Sequence, residues 1–423
     1  MDYSQVLAGT ISVKFLKNTS DLDEEGNTIS REYSYTLDES NEVNNHMNDY
    51  VVHPAFRDGT TTHYMNGEWD EEVSGFWVAK YEAGYQANTI TNDNGTLSTT
   101  ISNSGDTVVY SDLKYTSYYN DYETNALNQD LSETGYLGEN LSYPVFLPLT
   151  YSYNVICIGD SYVLSQSIDT ANQFYGLSSS TTDSHMMKNS EWGAVAYLAQ
   201  SSYGRNGTEI TINDYYTNSS SQSPYRTAIT GLASSDSSES ETQSLSNVAA
   251  YNTEAGMKGS STGNITGVYD LSGGLWERTS GYISDGASQL TSDGTNSTYG
   301  SSGYLMGASS TANANGYQLL STRSYTVYPY NSSSDSNTNN YNTYKGLLSS
   351  TYGYGDAILE TSNAGSGTTS WNSDYSGFAF TSYPFFVRGG YYGNVSGAGS
   401  FAFNHTGGGA YYVNGFRAVL VAE

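Results

Sequence analysis

The sequence predicts an α+β fold with few helices, short strands and long irregular loops. Three observations carry that expectation. Only two segments repeat their apolar residues at helical spacing. The other apolar runs are short and alternate with polar residues, as half-buried strands do. Stretches rich in Gly, Ser, Asn and Thr separate them throughout, and 44 of the 423 residues are Gly. No fixed-period repeat appears.

From the N-terminus, GTISVKFLK (9–17) reads as a strand, followed by the acidic stretch Asp21–Glu25 and a second alternating run, REYSYTL (31–37). Together they predict a β-rich module over 1–49 for assembly or attachment. From Tyr50 apolar runs recur to the end, predicting a second unit over 50–423 with polar insertions. YVVHPAF (50–56) and GFWVAKYEAGY (75–85) read as strands joined by turn material. Residues 86–135 form a polar excursion. SIDTANQFYGL (167–177) is a helix candidate that breaks at its Tyr-Gly. A stronger one spans 189–204, with Ser190 as candidate N-cap, Glu191 in the first turn, Trp192, Val195 and Ala196 at helical spacing, and Gly204 as the stop. Beyond Gly204 only short strands and loops are expected, with 284–303, 331–343 and 361–374 as loops.

Composition narrows the function. Asp and Glu number 43 against 15 Lys and Arg, a net charge of −28, yet only 14% of residues are charged. The surface is therefore mostly neutral and polar, and its field repels phosphate backbones and anionic lipid, which disfavours nucleic acid and membrane as partners. No run approaches the roughly 18 apolar residues of a membrane span. The 42 Tyr, beside abundant Ser, Gly and Asn, match recognition loops, where a rigid aromatic with a polar tip serves best; Tyr also suits half-buried strands. Cys157 is alone, so no intrachain disulfide and no Cys-based metal site can form. It stands in a strand-like apolar run (Val155, Ile156, Ile158) and reads as a buried small hydrophobe. His46, His53, His63, His185 and His405 show no ligand spacing. No nucleophile elbow and no phosphate loop occurs. No cofactor is expected, although calcium is compatible with the acidic loops near Asp21–Glu25 and Asp335. The segment MDYSQVLAGT lacks the basic start and apolar core of a secretory signal.

Four segments carry a resemblance. GFWVAKYEAGY, with Glu82 near its end; KNSEWGAVAYLA (188–199), with Glu191-Trp192; GNITGVYDLSGGLWERTSGY (263–282), through Gly267, Tyr269-Asp270-Leu271-Ser272-Gly273 and Trp276-Glu277; and FFVRGGYYGNVSGAGSFAFNHTGGGAYYVNGFRAVL (385–420), through Arg388-Gly389-Gly390 and Gly415-Phe416-Arg417, resemble in that order the landmarks of the formylglycine-generating-enzyme (sulfatase-modifying factor) domain, a variant of the C-type lectin fold. The resemblance covers about residues 50–423. Within an acidic chain, Arg388 and Arg417 are each expected to pair with a carboxylate such as Asp270 or Glu277. Trp77, Trp192 and Trp276 are expected to share one core. The enzymes of that family carry two copper-binding cysteines between the last two landmarks. Here the interval Gly390–Gly415 has none, so the resemblance implies a non-enzymatic use of the scaffold.

The last forty residues resemble, more narrowly, the variable proteins diversified by phage and bacterial retroelements. Between the fixed landmarks stand Tyr391, Tyr392, Asn394, Ser396, Ser400, Asn404, His405, Tyr411, Tyr412 and Asn414, residue types that suit recognition when they face outward from a rigid platform. The alternative is that the Tyr pairs are packing residues. The resemblance implies a ligand-binding protein on a virion or extracellular surface, a phage receptor-binding or capsid or tail decoration protein recognising a host surface protein or glycan. Other virion proteins and further copies of the chain are the expected assembly partners. A structural subunit of a filament or virion, or a bacterial adhesin, is the competing reading.

Overall fold

The computed structural model describes residues 53–56, 69, 71, 73–84, 144–154, 156, 158–166, 168–169, 175, 177–218, 226–235, 241–283, 325–347, 355–408 and 411–422. The N-terminal module, the excursion at 86–135, the loop at 284–303 and Cys157 lie outside them. In chain order the described elements are β1 (Trp77–Val78), α1 (Ile158–Gln166), β2 (Thr182–Met186), α2 (Asn189–Gln200), β3 (Thr217–Asn218), β4 (Arg226–Thr227), β5 (Leu232–Ser234), β6 (Val248–Ala250), β7 (Trp276–Ile283), β8 (Thr326–Tyr328), α3 (Asn337–Leu347), β9 (Phe385–Gly389), β10 (Gly399–Thr406), β11 (Asn414–Phe416) and β12 (Ala418–Ala422). The class is mixed α+β, with few helices and small sheets.

Strand β7 organises the larger sheet. It pairs antiparallel with β9 and parallel with β11 and β8, and β10 extends the sheet beyond β9. All eight of its residues are buried, although four of the central ones are polar. A strand covered on both faces tolerates this only if each polar group finds a partner. Glu277 takes Arg417, Thr279 donates to Asn189 Oδ1 at 3.0 Å, and Ser280 donates to the Met186 carbonyl at 2.7 Å. A smaller sheet, ordered β1-β12-β2, ties residues 77–78 to the C-terminal strand and to the strand that precedes α2.

Successive β9 side chains enter different clusters, as strand alternation requires. Phe386 packs with Tyr328, Tyr344 and Phe378, whereas Phe385 joins Tyr162, Tyr282 and Phe416, and Val387 joins Tyr216, Trp276 and Tyr392. A further cluster gathers around α2, where Trp192 meets Trp69, Leu271, Trp371 and Phe401. The three landmark tryptophans therefore do not share a core. Trp192 and Trp276 belong to separate clusters, and Trp77, on an edge strand of two residues, is 62% exposed.

Several local expectations are corrected. Helix α2 begins at Asn189 and is preceded by Lys188, not capped by Ser190; Glu191 Oε2 accepts the Lys188 N–H at 2.8 Å. It ends at Gln200, and Gly204 closes the following turn. Most of the helix candidate at 167–177 lies outside the described residues; a helix, α1, stands just upstream of it and begins at Ile158, the last residue of the run that read as a strand. After Gln166 the chain turns because Ser184 of β2 donates to the Gln166 carbonyl at 2.9 Å and Asp169 accepts the Ser184 N–H at 3.1 Å. His53–Phe56 is a turn rather than a strand, closed by Phe56 N–H on the His53 carbonyl, and Pro54 withholds a ladder donor. The loop expected at 331–343 contains the start of α3. Its buried stripe is Asn340, Tyr341 and Tyr344, and Ser336 caps it by accepting the Asn339 N–H at 3.2 Å. An amide and two phenols escape a reading that counts aliphatic residues.

Candidate functional site

The turn before β7 fixes the scaffold of the site. Asp270, Gly273 and Gly274 all adopt positive φ, and a side chain at Gly273 would collide with the Asn213 carbonyl. This lets Leu275 N–H donate to Glu82 Oε2 at 3.1 Å. Asp270 accepts from Gly231 N–H and Asn213 Nδ2 at 2.9 and 3.0 Å. Arg417 grips Glu277 bidentately, Nε to Oε2 at 2.8 Å and Nη2 to Oε1 at 2.5 Å, and also donates to the Ala79 and Tyr269 carbonyls. Burial is the largest cause acting on all three carboxyls and pushes each upward: Glu82 well above the usual range, Asp270 less far, and Glu277 to about 7. Their proximity to one another adds to the rise for Glu82 and Glu277. These groups are sealed from solvent and serve the scaffold. Arg388 corrects the paired expectation: it donates to the Asp356 and Ala357 carbonyls at 3.0 and 2.8 Å and stacks near Trp192, rather than forming a bidentate pair with a carboxylate.

On this base the structure places the ten expected binding residues in three settings. Tyr392, Ser400 and Asn414 are buried and belong to the scaffold. Tyr392 stacks on Tyr216 at 4.8 Å, the Ser400 carbonyl accepts the Trp192 indole N–H at 2.7 Å, and Asn414 lies in β11 opposite Trp276. Register and stacking turn them inward, which one-dimensional spacing does not reveal. Asn404 and His405 sit toward the far end of β10. There Asn404 Oδ1 accepts the His405 N–H, while His405 meets Phe380 at 4.9 Å and Asn337 Nδ2 at 3.0 Å. This is a separate cluster, and burial holds the His405 imidazole below its ordinary value.

The remaining residues form a tyrosine platform. Tyr411 is 51% exposed, Tyr391 and Tyr412 are half-buried, and Ser396 is exposed on the short 3₁₀ turn that follows Tyr391. Asn394 supports that turn, its Oδ1 accepting the Tyr391 N–H at 2.9 Å. Tyr391 lies edge-on to Tyr392 at 5.0 Å, and Tyr411 packs on Tyr412 at 4.7 Å. Asn154 fixes the rim by donating to the Tyr412 and Arg226 carbonyls, both at 2.7 Å. Burial raises the Tyr391 and Tyr411 phenols, so both remain hydrogen-bond donors at neutral pH.

Three further members come from distant segments. Tyr216 forms the floor, Arg226 lies over the Tyr216 ring at 4.9 Å, and Tyr375 packs edge-on to Trp276 at 6.3 Å. Their only sequence signal is type: Tyr in a Tyr-rich chain, and one of 15 basic residues. Among the described residues no group of three or more His, Cys, Asp or Glu is arranged to hold a metal ion. The Asp335 carboxylate is occupied by Asn340 and Thr381 donors, and Asp21–Glu25 lie outside the described residues. No helix among those residues is long and apolar enough to cross a membrane. No family model matches the chain, and no curated protein matches it.

Proposed function

We propose that the chain is a non-enzymatic ligand-binding protein on a formylglycine-generating-enzyme-like scaffold, displayed on a virion or extracellular surface, with the tyrosine platform as its recognition face. The observation that carries this reading is a set of part-exposed rings, Tyr391, Tyr411 and Tyr412, mounted on a floor of buried Tyr216, Tyr392 and Trp276. Anchored rings lose little freedom on binding, so their contact area is converted to affinity efficiently. Buried Glu82, Asp270 and Glu277 are held by scaffold donors, whereas the platform's rings are part-exposed. Host attachment, as a phage receptor-binding or decoration protein, is the use that best fits a strongly acidic chain with a neutral polar surface.

The test is the triple variant Tyr391→Ser, Tyr411→Ser, Tyr412→Ser, compared with the parent for melting temperature and for binding of the labelled chain to a panel of bacterial cells. Exposed substitutions change stability by no more than about 0.5 kcal/mol each, whereas aromatic anchors at an interface carry about 2 kcal/mol or more. Retained folding with lost cell binding is expected. A folded variant that binds like the parent removes the platform from the mechanism.

A further inference from the structure

Arg226 is out of place in its surroundings. In a chain with 43 carboxylates and 15 basic residues, a partly buried guanidinium is expected to hold a carboxylate. The Arg226 guanidinium makes no hydrogen bond or ion pair among the described residues; it lies over the Tyr216 ring at 4.9 Å, and its Nε is buried without a partner. The Tyr392 hydroxyl, beneath the same platform, is a second buried polar atom with no partner. Glu241 immediately precedes Thr242, whose carbonyl accepts the Tyr216 N–H at 3.0 Å, so it stands next to the segment that supplies the floor; both Arg226 and Glu241 also act electrostatically on the Tyr391 and Tyr392 phenols. Glu241 is exposed, and among the described residues its carboxylate makes no hydrogen bond or ion pair. One face of the molecule thus holds aromatic rings, a cation and an anion, and among the described residues neither charged group is engaged by the other or by a further partner.

From this juxtaposition we infer that the platform binds a neutral saccharide. The inference rests on the binding role proposed above and names its ligand class. A pyranose ring offers an apolar C–H face that packs on an aromatic ring, while each hydroxyl at its edge both donates and accepts. Arg226 then donates to one hydroxyl and Glu241 accepts from another, a complement that a purely apolar or purely anionic ligand does not provide. The field of a −28 chain opposes an acidic sugar or an acidic peptide at long range, so the neutral class is favoured. Rotation of Tyr391 or Tyr412, both at the surface, would open the Tyr392 hydroxyl as a further donor.

The test uses the full chain on an array of neutral oligosaccharides, terminated in hexose, deoxyhexose or N-acetylhexosamine, beside their uronic- or sialic-acid-capped counterparts. Retention on a neutral structure is expected, at least tenfold above its acid-capped form, with competition by the free neutral sugar. Arg226→Gln and Glu241→Gln should each lower retention about tenfold, with melting temperatures within a degree or two of the parent. Retention on no neutral saccharide, preference for the acid-capped forms, or unchanged retention in Arg226→Gln overturns the inference. Periodate treatment of bound cells separates it from the platform reading. If the triple tyrosine variant loses cell binding but periodate-treated cells still bind the parent, the platform stands, its ligand is a protein and the saccharide inference falls. If the triple variant binds cells like the parent, the platform itself falls, and the saccharide inference with it.

Discussion

Arg417 donates four hydrogen bonds from a site without solvent access, two to Glu277 and two to the carbonyls of Ala79 and Tyr269. It thereby joins β7, the segment after β1 and the turn that carries Asp270. Replacing it with Ala leaves a buried carboxylate and two carbonyls without partners, and loss of about 3–5 kcal/mol is expected. Denaturant unfolding of Arg417→Ala checks this, and an unchanged midpoint would refute the scaffold role. Glu360 shows the opposite case, a carboxyl the fold would rather keep neutral. It receives the Tyr197 hydroxyl on Oε1, its Oε2 is buried without a partner, and burial, with Asp356 nearby, raises it from 4.5 to about 7. Because the folded value lies above the unfolded one, the protonated form stabilises the fold below about pH 4.5, and that contribution is lost as pH rises through about 7. Glu360→Gln removes the titration. Relative to the parent it should gain on the order of 2–3 kcal/mol between pH 5 and pH 8, read from melts across that range. A constant difference between the two proteins over those pH values would count against the buried-acid account.

At the scale of elements, α2 carries a glycine that helix propensity alone would replace. Gly193 lies in the helix interior, where Ala is normally better by about 1 kcal/mol. Here an added methyl would overlap the Gly355 carbonyl and the Asp356 backbone. The Asp356 and Ala357 carbonyls there also accept from Arg388 Nη1 and Nη2. Gly193→Ala is therefore expected to destabilise by about 1–3 kcal/mol as overpacking, against the sign that propensity gives. A more stable variant would show that the helix-to-backbone contact is looser than described. Helix α3 makes a related point. Its sequence, NTNNYNTYKGL, is poor in aliphatic residues, yet Asn340 earns burial by donating to the Ala379 carbonyl at 3.1 Å and accepting the Asn331 N–H at 2.9 Å.

Over the whole molecule, the net charge of −28 opposes compaction, since like charges gathered at one surface repel more than in an expanded chain. Sodium chloride screens that repulsion, with a Debye length falling from about 30 Å at 0.01 M to about 3 Å at 1 M. The melting temperature is expected to rise by several degrees across that range. A fall would mean that attractive surface pairs outweigh the repulsion, and the acidic surface would then have to be read as paired rather than self-repelling.

The sequence by itself determined what depends on composition and local order. The mixed α+β class, the existence of helix α2, the neutral polar surface under an acidic net charge and the Arg417 partnership with Glu277 were all legible. A run of Tyr, Asn and Ser between two glycine-rich landmarks includes the part-exposed rings Tyr391, Tyr411 and Tyr412. Only the tertiary structure decided which of those residues face solvent. The pairing of β9 with β10 shifts between Gly399 and Phe403, and the 3₁₀ turn at Tyr392–Gly397 re-aims the chain before it, so alternation no longer predicts facing. Tyr392 turns inward onto Tyr216 while Tyr391, its neighbour, stays at the surface. The same holds for Arg226, placed beside the platform by the pairing of β4 with β3, and for Trp77, left outside by an edge strand too short to be covered. Burial is a property of what packs opposite a residue, and Tyr392 is covered by Tyr216, from a distant part of the chain.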